Sequence, residues 1–208
     1  MLGDDRQSHE FSEPGLWPSE AQELLLQASL WKGEKALRAW TQWRSMVNLD
    51  DEMDRGTFRL LPMLYKRMLV LGARDPLMPR LGSVYRWSWV ESNQILRYMK
   101  PILADLRGAG ISTLLLKGAP LAYDFYEYPG MRPMADFDVL VQLGDLSKAV
   151  DFLASRGWKP RTPISSAVFD FRHSLPFFNS ADQEFDLHWH VLPEVRNAEV
   201  DGFRTRDR

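Results

Sequence analysis

Met134-Ala-Asp-Phe-Asp-Val-Leu-Val141 is the stretch on which the reading of this chain turns. Its period-two pattern predicts a strand over Asp136–Gln142. Side chains alternate faces along a strand, so Asp136 and Asp138 are expected on one side and Phe137, Val139 and Val141 on the other. Two residues of strand hold the two carboxylates about 7 Å apart at the backbone. Like charges at that spacing repel, and a hard cation such as Mg²⁺, which takes oxygen ligands and substrate phosphates, is one reason for a largely apolar strand to carry them. The plain alternative is a strand end whose aspartates are solvated.

A second stretch adds a third acid. In Glu184-Phe-Asp-Leu-His-Trp-His-Val191 strict alternation sets Phe185, Leu187, Trp189 and Val191 on one face and Asp186, His188 and His190 on the other. If this strand lies beside the first, Asp136, Asp138 and Asp186 form a three-carboxylate cluster able to hold one or two divalent ions. Beside such a cluster the two histidines fit hydrogen-bonding support roles. With His173, the same Asp186, His188 and His190 also suit a zinc-type ion in a metal-dependent hydrolase. Upstream, Leu114-Leu-Leu-Lys-Gly-Ala-Pro120 ends a strand at Lys117 and Gly118 and leads into a helix. Close backbone approach at the glycine and the lysine point charge suit a phosphate, as does Arg132 just ahead of Asp136. An ordinary glycine turn and a loop arginine are the bland readings.

Outward from these strands the pattern divides the chain into a polar tail (1–17), a helical region (18–107) and a small α/β region (108–208). The helical region shows apolar residues at three- and four-residue steps, for example Ala21, Leu24, Leu25 and Ala28. Helices are expected over Glu34–Val47, Asp51–Leu71 and Val84–Arg107, with Ser19 starting the first. Its tryptophans and methionines, among them Trp31, Trp40, Trp43, Met68, Trp87 and Trp89, are expected in the core. Further on, strands are expected over Ile111–Leu116, Ala167–Phe171, Leu175–Asn179 and Glu184–Val191, and helices over Ala119–Tyr126 and Asp145–Arg156. The fold class is α+β, an N-terminal helical region followed by a small mixed sheet.

Composition narrows the function. The 208 residues are 45% apolar and carry a formal charge of −2, so there is no global basic field for a long nucleic acid. The absence of cysteine excludes disulfides, thiol nucleophiles and Cys-held metals. No G-x-S-x-G elbow and no Walker loop occur. The first residues lack the basic and apolar regions of a secretory signal, and no apolar run is long enough to span a bilayer, so a cytoplasmic protein without membrane contact is expected.

The order Lys117-Gly118, Arg132-Pro-Met-Ala-Asp136-Phe-Asp138-Val-Leu-Val, Gly157-Trp158 and Asp186-Leu-His-Trp189 resembles an uncharacterised bacterial nucleotidyltransferase-like family of the polymerase-beta-type superfamily. The resemblance extends into the helical region through Leu61-Pro-Met-Leu-Tyr65. It implies transfer of a nucleoside monophosphate from an NTP to an acceptor hydroxyl on a small molecule, a protein or an RNA end. It further implies Mg²⁺ or Mn²⁺ held by Asp136, Asp138 and Asp186, the last also helping to deprotonate the acceptor. The Lys117-Gly118 turn would stand where the superfamily has a phosphate-binding Gly-Ser loop, although here Ala119 replaces the serine. A non-catalytic nucleotide- or partner-binding module on the same fold is the alternative, and the His/Asp hydrolase a third.

Overall fold

The structure is a computed structural model and describes residues 17–50, 53–164 and 172–192. The expected strand over Ala167–Phe171 and the tail up to residue 16 lie outside the described residues. The chain divides into two compact units, Met1–Asp75 and Pro76–Arg208.

The first unit is helical: α1 (Glu20–Leu30), α2 (Gly33–Met46) and α3 (Arg55–Val70). Ser19 and Gln22 form a reciprocal capping box on α1, and the Asp54 side chain caps α3 at Thr57. Leu25 and Ala28, Ala36 and Trp43, and Leu64 and Met68 supply its buried stripe, with Trp40 stacked on Trp43.

The second unit begins with the long α4 (Met78–Gly108) and continues through β1 (Thr113–Leu116), α5 (Gly118–Asp124), β2 (Asp138–Val141), α6 (Leu146–Ser155), β3 (Lys159–Pro160), β4 (Ser174–Phe178) and β5 (Glu184–His188). The sheet order is β1-β2-β5-β4-β3. Among the described residues only β2 and β5 are parallel and the other pairs are antiparallel, so the sheet is mixed as expected. One face carries the core. Val139 and Val141 from β2 with Phe137 just before it, Leu175 and Phe177 from β4, and Phe185 and Leu187 from β5 with Trp189 just after it share one buried cluster with Leu96, Met99 and Leu106 of α4 and Leu146, Ala149 and Leu153 of α6. Phe185 is locked between an edge-on Trp158 and a stacked Phe177, at centroid distances of 5.0 and 5.9 Å. Gly130, in a 3₁₀ turn at Pro129–Met131, sits hard against α4: a Cβ there would lie 2.7 Å from Trp89 Cβ.

Three expectations are corrected. Strand β2 starts at Asp138, two residues later than the pattern predicts. Its neighbour β1 ends at Leu116, opposite Asp138, and Lys117 turns the chain away into α5, so Asp136 has no strand beside it on that side. Likewise β5 stops at His188, because the Trp189 and His190 amides both turn onto the His173 carbonyl. The tryptophans also divide: Trp40 and Trp43 are buried, whereas Trp31, Trp87 and Trp89 are exposed. Helical spacing sets which residues share a stripe but not whether another element covers that stripe.

Candidate functional site

The site is built by the one parallel pair. Asp138 of β2 and Asp186 of β5 are register partners, and the Asp186 amide donates to the Phe137 carbonyl at 2.9 Å. Both carboxylates therefore stand on the sheet face opposite the aromatic core. His188, two residues along β5, shares that face, and its Nε2 lies 2.8 Å from Asp138 Oδ1. Asp138 and His188 are each 1% exposed. Asp138, Asp186 and His188 each present a ligand atom within 4.8 Å of the others, a spacing at which they could share one metal ion.

Lys117 closes the group from the end of β1. It adopts φ 52° and ψ −110°, a region that disfavours any side chain with a Cβ, and its Nζ lies 2.5 Å from Asp138 Oδ1. One oxygen of Asp138 thus accepts from two nitrogens. The other, Oδ2, is buried and without a partner among the described residues, as is His188 Nδ1.

The electrostatics follow from this crowding. Burial works to raise the Asp138 carboxyl, but the hydrogen bonds and charges of His188 and Lys117 outweigh it and hold it below the ordinary carboxylate value. Asp138 is therefore ionised and accepts only, so His188 Nε2 carries the proton between them. Asp186 is pushed up by burial first and then by the Asp138 charge, with Asp136 adding to the rise. Desolvation opposes the Lys117 ammonium, yet its hydrogen bond to Asp138 and the charges of Asp138, Asp136 and Asp186 raise its pKa on balance.

The sequence-predicted residues are brought together unequally. Asp138, Asp186 and His188 form the group, with Lys117 on it. Asp136 is exposed in the loop before β2 and stays outside the three-residue cluster, though near enough for its charge to act on Lys117 and Asp186. His190 lies past the end of β5, buried at 6% exposure and outside the cluster. His173 faces His188 ring to ring, with centroids 5.5 Å apart. Gly118 opens the two-turn α5, and Arg132 is half-buried in the loop after the 3₁₀ turn, its Nε buried and unpartnered among the described residues.

A groove of about 860 Å³ went unforeseen. Trp87, Glu91, Arg97 and Tyr98 of α4 face Ala135 and Glu184 across it. Its lining includes Ala135, which adjoins Asp136, and Glu184, two residues before Asp186, but none of the clustered residues themselves. Helical spacing assigns Trp87 to the core, whereas it is exposed on this groove.

The parallel pair thus carries an aspartate on each strand, with a basic strand-to-helix turn beside them, an arrangement compatible with metal binding. Residues 57–207 match a family described as uncharacterised nucleotidyltransferase, and the chain belongs to that family. No curated protein and no solved structure matches it.

Proposed function

We propose that the protein is a Mg²⁺- or Mn²⁺-dependent nucleotidyltransferase that moves an NMP group from an NTP to an acceptor hydroxyl. The observation that supports this most directly is the register pairing of Asp138 with Asp186, with Asp138 Oδ2 buried and without a partner among the described residues, beside a carboxylate of raised proton affinity. An unpaired anionic oxygen in a buried cluster is costly unless a cation completes it, so the residues present fit the ion. Asp138 and Asp186 would hold it, with Asp136 reaching in from the preceding loop. Bound there, the ion would polarise the phosphoryl group and neutralise the leaving pyrophosphate.

The chain's own groups take the remaining roles. His188 donates from Nε2 to Asp138 and fixes the orientation of that carboxylate. Asp186, whose proton affinity is raised, accepts the proton from the acceptor hydroxyl. Arg132, with an unpartnered buried Nε, and the Lys117-Gly118 turn bind the triphosphate. The groove lined by Trp87 and Glu91 seats the acceptor, an assignment supported by Ala135 in its lining, which adjoins Asp136. No step calls for a long nucleic acid.

The test is transfer of label from an α-phosphate-labelled NTP, with Mn²⁺, to a panel of hydroxyl-bearing small molecules, proteins and RNA ends. Transfer by the wild type and none by Asp186→Asn is expected. Absence of NTP binding in the presence of Mn²⁺ would refute the reading. A second reading, a nucleotide- or partner-binding module without turnover, is favoured by one observation: Lys117 and His188 already satisfy one oxygen of Asp138. NTP binding without transfer to any acceptor would support it.

A further inference from the structure

We propose that Lys117 is a tethered cation standing in place of a second metal ion, so that this site takes one divalent ion instead of two. The inference rests on the functional reading above and deepens it.

A carboxylate that bridges two ions commonly does so with one oxygen on each, and an oxygen that already accepts two hydrogen bonds has used its two lone-pair sites. Here Asp138 cannot do so in the arrangement the chain adopts. Its Oδ1 accepts from Lys117 Nζ at 2.5 Å and from His188 Nε2 at 2.8 Å, which leaves Oδ2 alone for an ion. The ammonium sits among the same charges a second ion would neutralise, since Asp138, Asp136 and Asp186 all act on it.

The backbone explains how the ammonium is kept there. Lys117 follows the last residue of β1, which pairs with Asp138 itself, and precedes the first residue of α5. That position demands φ 52° and ψ −110°, a conformation glycine adopts freely and lysine only under strain. A lysine held where glycine would be easier is explained by what its side chain reaches. The Lys117 side chain is 54% exposed while Asp138 is 1% exposed, so the ammonium lies at the mouth of the cluster, where an incoming polyphosphate meets it.

The experiment counts ions. Purified full-length protein is titrated with Mn²⁺ alone, free Mn²⁺ being followed by electron paramagnetic resonance. One bound ion per chain is expected for the wild type. In Lys117→Gly two ions are expected, the first of them about tenfold tighter because a positive charge has gone from beside it. Glycine suits this backbone, so the variant keeps its fold, which circular dichroism checks. Lys117→Arg, retaining the charge, should still bind one. Two ions in the wild type, or one in Lys117→Gly, would overturn the tethered-cation role and leave the metal site standing. No ion in any of the three proteins would overturn both.

Discussion

Replacing Asp138 by Asn is isosteric and removes only the charge at the centre of the site. In the wild type this buried carboxylate accepts from Lys117 and His188, two bonds strengthened by its charge. With a neutral acceptor each bond weakens by about 1 kcal/mol. The Lys117 side chain is 54% exposed and its ammonium returns to water, which discounts that half, so the expected cost is about 1–2 kcal/mol, or a Tm lower by roughly 3–8 °C. The cost depends on pH with a definite sign. Because Asp138 is held below its unfolded value, its stabilisation is complete above the ordinary carboxylate range near pH 4 and is lost as pH falls through the lowered value. The gap between wild type and variant should therefore be full at pH 7 and close on the acid side. The same melts, repeated with Mn²⁺ and a non-hydrolysable NTP at about one hundred times Kd, should raise the wild-type Tm by about 5–10 °C, corresponding to about 2.7 kcal/mol. The variant should show no such rise. An equal rise in Asp138→Asn would remove this residue from the cation site, and an unchanged unliganded Tm would refute the charge-pair account.

Asp186→Asn should behave in the opposite sense without ligand. Its carboxyl is raised by burial and by Asp138, so its ionised form disfavours folding as pH rises above the ordinary carboxylate value; the variant should melt a few degrees higher at pH 7 by calorimetry and gain nothing at pH 3. Phe185→Ala removes a ring in contact with both Trp158 and Phe177 and should cost about 3–5 kcal/mol in urea denaturation, with no loss meaning that this core is not the folding core of the second unit. Gly130→Ala places a Cβ 2.7 Å from Trp89 Cβ and should cost about 1–3 kcal/mol, a neutral result indicating that the turn does not pack so closely on α4. Metal analysis of the purified protein should find no stoichiometric zinc; zinc that is lost in His188→Ala would favour the hydrolase reading.

Much of this protein was legible in its sequence because periodicity records burial. The alternation of Phe185 and Leu187 against Asp186 and His188 named the buried face of β5 and the polar face opposite; it fails past His188, where Val191 is exposed and His190 lies outside the cluster. The switch from helical to strand spacing near Gly108 marked where the sheet begins, since each period reflects a different backbone geometry. Two strands that each carry an aspartate on the face away from the core were recognisable one by one. Their adjacency was not, because pairing across fifty residues leaves no local trace; it is the register of β2 against β5 that puts Asp138 beside Asp186. The same limit explains Asp136. Alternation promised it a place with Asp138, but a strand lasts only while a neighbour pairs with it, and β1 ends at the residue before Lys117. Nor could residue order show that Lys117 would be held at a positive φ with its ammonium on Asp138, because that conformation is imposed by the strand on one side and the helix on the other. Local sequence, then, determined which side chains seek the core and which carry charge. Long-range pairing alone decided which charges meet, since the distances between them are set by hydrogen bonds to other segments and not by the spacing of residues along the chain.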